Sequence, residues 1–250
     1  MSFNASKCYI LSLRSNSSFY YQLNDTILQE VPNNPYLGIS ISNDLKWGNH
    51  INNTCRKANS TLGFIRRNLH HSPKPTRRLA YIALVRSTLE YGSIIWDPFL
   101  HQDIDKMERV QRKAARFITR DYKSREPGCM TRMLEDLDLP SLQQRRKEQR
   151  LAFFYKVVGG SVPAIPPETF LTPIRNKRKI KAKTFDNCVA KNFVESAQLK
   201  NSNCFKVPET HSDAYKTSFF PKTISEWNQL EDITISAPTV ENFKKLLQVA

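Results

Sequence analysis

Residues 36–96 read YLGISISNDLKWGNHINNTCRKANSTLGFIRRNLHHSPKPTRRLAYIALVRSTLEYGSIIW. A short apolar strand over residues 36–41 ends at Ser42-Asn43-Asp44, and two long basic helical patterns follow. In the first, Trp47, Ile51, Cys55, Ala58, Leu62, Ile65 and Leu69 recur at steps of 4, 4, 3, 4, 3 and 4. Those steps put one apolar stripe on a helix over residues 46–69. Arg56 and Arg67 fall opposite the stripe, and Lys57 and Arg66 flank it. Asn43 or Asp44 is placed to cap this helix. In the second pattern Leu79, Ile82, Ala83 and Leu89 share a face, with Arg86 among them. Ser72-Pro73-Lys74-Pro75 separates the two helices; Thr76 is the expected cap of the second and Gly92 its end.

Upstream, residues 6–13 read as a strand and Ser15-Asn16-Ser17-Ser18 as a turn. Residues 19–23 and 27–31 flank Asn24-Asp25-Thr26, a hairpin signal because Asn and Asp tolerate positive φ. Pro32-Asn33-Asn34-Pro35 stops the second of these strands. Gly38 lets another backbone or a ligand come close to the strand at 36–41. The four short strands predict a small antiparallel sheet.

Downstream, Asp103 starts a third helix, to about Arg120. Its Met107, Val110, Ala114 and Phe117 are apolar, and Lys106, Arg109, Lys113, Arg116 and Arg120 form a parallel basic stripe. A solvated face and a phosphate-facing ridge both fit such a stripe. Helices over residues 131–137 and 141–158 follow, the latter carrying Arg145-Arg146-Lys147 and Arg150 and ending at Gly159-Gly160. Pro163, Pro166, Pro167 and Pro173 read as an extended linker, and residues 175–183 hold six positive charges and no acid. Order returns at residues 219–224, with Trp227, Leu230 and a last helix over residues 239–247.

The fold expected is α+β, mainly α: small N-terminal antiparallel strands (1–43), a basic helical bundle (44–160), an extended basic linker (161–218) and a C-terminal segment with a short helix (219–250). The charge is lopsided. The chain carries 38 Lys and Arg against 23 Asp and Glu, a net +15. Residues 46–150 alone hold 22 basic and 11 acidic side chains. That balance favours a polyanionic partner. The five cysteines are scattered and odd in number, with no Cys/His ligand spacing, which reads as free thiols in a reducing compartment and no structural metal. No run approaches the length of a membrane span, and residues 1–4 lack a leader's charge and apolar core.

These landmarks resemble the part of non-LTR (LINE-like, jockey-type) retrotransposon reverse transcriptases that follows the catalytic centre. Phe3-Asn4-Ala5-Ser6-Lys7-Cys8 is similar to the palm's motif D. Tyr36-Leu37-Gly38-Ile39 with Asp44-Leu45-Lys46-Trp47 and His50-Ile51 is similar to motif E and the entry to the thumb. Leu89-Glu90-Tyr91-Gly92, Trp96-Asp97-Pro98 and residues 108–116 resemble the helices beyond it, and Phe219-Phe220-Pro221-Lys222-Thr223-Ile224, Trp227-Asn228 and Phe243-Lys244 the C-terminal segment. The resemblance covers nearly the whole chain.

The resemblance implies an RNA-directed DNA polymerase that uses Mg²⁺ held by clustered carboxylates. Those carboxylates precede motif D in the family. This chain has no adjacent Asp-Asp pair. It implies no catalytic residue here beyond Lys7, a motif D remnant that would face the departing pyrophosphate. It also implies a primer grip at Tyr36, Leu37 and Gly38. Arg56, Lys57, Arg66, Arg67, Arg109, Lys113 and Arg116 would meet a template–primer duplex or element RNA through phosphates. A domesticated helical module binding nucleic acid or protein, and a non-functional remnant, are the other readings.

Overall fold

The computed structural model describes residues 4–13, 20–174 and 201–248. The fold is α+β and mainly helical, with short strands at the N-terminus and helices after them. The chain forms two compact units, residues 1–146 and 147–250. The sequence suggested divisions at 43/44, 160/161 and 218/219.

The first unit opens with a 3-10 turn, Ala5–Lys7, where a strand was expected. The Asn4 side chain accepts from the Ser6 amide (3.1 Å), a local bond that competes with extended structure. The strand is thereby reduced to β1 (Tyr9–Ile10). β2 (Gln22–Leu23) and β3 (Thr26–Ile27) form the expected hairpin around Asn24 (φ 47°) and Asp25 (φ 60°). β4 (Gln29–Glu30) pairs with β1 in parallel, against the antiparallel expectation. β5 (Asn33–Tyr36) and β6 (Ile39–Ser42) are antiparallel around Leu37 (φ 47°) and Gly38 (φ 81°), both in the left-handed region a tight two-residue turn requires. Pro35, expected to stop a strand, sits within β5 opposite Ser40; a two-stranded ribbon has a free edge for a residue with no N–H. The expected turn at 15–18 lies outside the described residues.

α1 (Gly48–Asn68) follows the apolar stripe, and Ile51, Cys55, Ala58, Leu62 and Ile65 are all buried. Neither expected cap serves it. The N-cap is Trp47, without a side-chain bond, and Asp44 instead accepts from the Lys46 amide (3.0 Å) to shape the turn before it. α2 (Lys74–Ala80) starts after Pro73, so Thr76 lies inside the helix rather than capping it. The helix then widens into a π segment, Tyr81–Arg86, before α3 (Ser87–Glu90). This changes the buried face. Arg77, Tyr81, Val85 and Leu89 point inward, whereas Leu79, expected on the core side, is 66% exposed. Three steps of four overshoot an α-helical turn by about 40° each; the wider i→i+5 winding takes back that drift. The Ser87 and Thr88 hydroxyls bond the Ala83 (2.6 Å) and Leu84 (3.1 Å) carbonyls of this wide turn.

Trp96 is buried, with Nε1 donating to the Tyr91 carbonyl (2.7 Å) and its edge against His50 (4.8 Å between centroids). α4 (His101–Thr119) buries Met107, Val110, Ala114 and Phe117 as expected, and Arg120 ends it in the left-handed conformation (φ 61°). α5 (Cys129–Glu135) and the start of α6 (Leu142–Val158) complete the unit. The buried Gln111 accepts from the Tyr81 hydroxyl (2.8 Å) and donates to the Pro140 carbonyl (2.9 Å). Burial pushes the Tyr81 hydroxyl pKa up. Arg145 forks onto Glu90, and the buried Arg146 pairs with Asp97 (3.0 Å). These cations hold the bundle together.

The second unit is built on Leu151, Phe154 and Val157 of α6. Around them stand α7 (Pro167–Phe170), α8 (Asp213–Lys216), α9 (Phe219–Trp227), α10 (Asp232–Ile235) and α11 (Val240–Leu247). Phe154 meets Trp227 edge-on (5.2 Å), and Tyr155 stacks on Phe243 (4.7 Å). Leu171, Cys204 and Phe205, from the segment read as linker, are buried here. Asn228 holds Phe205 from both sides, accepting from its amide (3.0 Å) and donating to its carbonyl (2.8 Å).

Candidate nucleic-acid interface

α1 and α4 pack together and run in the same direction. At one end Cys55 feels the charges of Lys106 and Asp103; at the other an Arg120 guanidinium donates to the His70 carbonyl. At about 100° per residue, Arg56, Gly63, Arg66 and Arg67 share one side of α1, and His70 follows its end. On α4, Lys106, Arg109, Lys113 and Arg116 lie on the flank next to Phe117 by the same count, and Arg120 caps its end. Gly63, Arg66, Arg67, His70, Phe117 and Tyr122 line one groove of about 610 Å³. The cations that line it are Arg66 and Arg67 of α1, facing the Phe117 and Tyr122 rings.

Gly63 leaves the α1 wall open, since the nearest atom to an added Cβ is Arg67 Nη1 at 3.5 Å. Phe117 forms a buried floor. Arg66 stands over the Tyr122 ring, 5.8 Å from its centroid. The loop carrying Tyr122 is tightly held. Arg116 donates to the Asp121 and Ser124 carbonyls (both 3.1 Å). Asp121 accepts from the Lys123 and Ser124 amides (both 3.0 Å) and from the Ser124 hydroxyl. These bonds, the Ser124 hydroxyl foremost, hold the Asp121 carboxyl below the usual carboxylate range. Both helices end here, so their C-terminal carbonyls add partial negative charge that favours the surrounding cations.

Arg56, Arg66, Arg67, Arg109 and Lys113 are exposed. Arg56 also donates to Asn53 (3.0 Å). Two predicted residues are placed otherwise. Lys57 falls on the far side of α1, where it helps burial to lower the His50 pKa. Arg116 is half-buried and occupied by the loop carbonyls. The turn Tyr36-Leu37-Gly38 docks at the other end of the bundle. Tyr91 donates to the Leu37 carbonyl (3.0 Å), and a Cβ on Gly38 would lie 3.3 Å from the Tyr91 ring. The neighbouring Ser40 amide donates to His50 Nδ1 (3.2 Å), sixteen residues and about 24 Å of helix from Arg66. The exposed Lys7 sits in the 3-10 turn. The basic run at 175–183 lies outside the described residues.

Tyr122, Gly63 and His70 were not read as site residues. The available cue was an aromatic two residues beyond the basic row. Among the described residues no three of His, Cys, Asp and Glu converge as metal ligands. No described helix is long and apolar enough to cross a membrane. The described cysteines Cys8, Cys55, Cys129 and Cys204 are free thiols. In comparisons with protein-family models, with curated proteins and with solved structures, nothing matches the chain.

Proposed function

We propose that the chain is the C-terminal part of a non-LTR retrotransposon reverse transcriptase, with the end of the palm, the thumb and a post-thumb region. In this reading its first unit binds a template–primer duplex or element RNA without polymerising by itself. One observation carries the binding: Arg66 and Arg67 of α1 line one groove with Phe117 and Tyr122, and the neighbouring α4 exposes Arg109 and Lys113. Exposed arginines and lysines with long stems suit phosphate contacts, which position a nucleic acid without reading its sequence. The family assignment rests on the quoted motifs and their order.

The test is anisotropy with a labelled RNA–DNA duplex at several salt concentrations. Affinity should fall steeply with salt, and Arg67→Gln with Lys113→Gln should weaken binding and flatten that dependence. A salt-independent affinity, or none, would reject the reading. Primed template with Mg²⁺ and nucleotides should give no extension.

A further inference from the structure

Resting on that reading, we infer that the groove between α1 and the loop after α4 takes an unpaired nucleotide, with its base stacked on Tyr122 and its phosphate on Arg67. Phosphate binding needs cations alone. It gives no reason for an aromatic ring, 45% exposed, to stand in the groove. Bases inside a duplex are stacked on each other and offer no face to a side chain; an unpaired base does. Tyrosine and arginine are the side chains on which such bases stack.

Arg66 lies 5.8 Å from the Tyr122 centroid, about 1 Å short of the roughly 7 Å that a base between them needs, twice the van der Waals contact distance. Arg66 is exposed and has only to lean outward. The groove volume, about 610 Å³, falls in the range of small-ligand sites. The platform is fixed in advance by the Arg116 fork, the Asp121 turn and an Arg125 bond to the Tyr122 carbonyl (2.9 Å). Little ordering remains to be done on binding.

The experiment compares a short labelled single-stranded RNA with a blunt duplex of the same sequence on the full chain. Tyr122→Ala should weaken the single strand roughly tenfold and the duplex much less, and Tyr122→Phe should behave as wild type. Circular dichroism checks folding. Gly63→Leu fills the groove from the opposite wall and should give the same selective loss, so the test does not depend on one variant. Equal losses on both substrates, or none on either, would overturn the inference while leaving duplex binding standing. Failure to bind any nucleic acid would overturn the proposed function and this inference with it.

Discussion

Arg77 donates from both Nε (3.1 Å) and Nη2 (2.6 Å) to the carbonyl oxygen of Ile118, in the last turn of α4. A carbonyl there has no helical amide to accept from and sits at the negative end of the helix dipole. Arg77 is only 4% exposed, and its guanidinium also lies over the Phe117 ring at 5.8 Å. The helix that brings the chain back from α1 thus caps the end of α4. Arg77→Met keeps the bulk and removes the donors. Because Nη1 has no partner among the described residues, the expected loss is about 2 kcal/mol rather than more, read from the urea midpoint. Arg77→Lys should recover only part of it, since an ammonium cannot fork.

The hairpin β5–β6 is fitted to the turn after α3. Gly92 has φ 65°, and a Cβ there would lie 2.7 Å from Ile39 Cδ1, in a side chain 5% exposed. Gly92→Ala should destabilise the protein by at least about 1–2 kcal/mol from backbone strain alone. Gly38→Ala strains the backbone equally but meets only the exposed Tyr91 ring, at 3.3 Å. Thermal melts should rank Gly92→Ala below Gly38→Ala.

Stability should fall in mild acid through His50. Its Nδ1 accepts from the Ser40 amide and so carries no proton, leaving Nε2 toward Thr54 (3.4 Å). Burial, then the Lys57 charge, lowers its pKa from 6.5. The unfolded chain therefore takes up a proton before the folded one. The contribution is present in full above about pH 6.5 and is lost as pH drops toward the lowered folded value. His50→Gln keeps an acceptor but does not titrate. Urea midpoints between about pH 7.5 and 5.5 should change less in the variant than in the wild type.

In the second unit, Arg150 Nη2 reaches both Glu226 carboxylate oxygens (2.8 and 2.6 Å), with the arginine side chain 2% exposed. Glu226 is itself 25% exposed, so removing it takes two acceptors from a buried cation at less than the full cost of a buried pair; Glu226→Ala should cost about 2 kcal/mol. Loss of Trp227 fluorescence burial at a lower urea concentration would report it; an unchanged midpoint would mean that the pair adds nothing.

The stripes of α1 and α4 were legible because both helices keep the α period throughout, and a regular period is what apolar spacing encodes. The helix between them was misread. Its π turn shifts the count, and the inward position nearest its start is an arginine, so the apolar Leu79 was expected on the core side instead. That Arg145 and Arg146 are matched inside is visible only in the folded positions of Glu90 and Asp97. Arg66 and Arg67 at the groove, and Arg109 and Lys113 on α4, were readable as cations off the buried faces. Tyr122 was not, because its place depends on the left-handed cap at Arg120 and the loop that folds back under Arg116. The tight turn at Leu37-Gly38 sat in a strand signal; its docking on Tyr91 joins residues far apart in the chain and has no local signature.

Arg77, Arg146 and Arg150 are each 4% exposed or less, so part of the cationic surplus faces inward. The counterions that a docking polyanion sheds are set by contacts with the outward-facing rows alone. Titrating the chain against salt should thus count far fewer phosphates than its formal charge suggests, and neutralising an inward arginine should cost cohesion without altering that count.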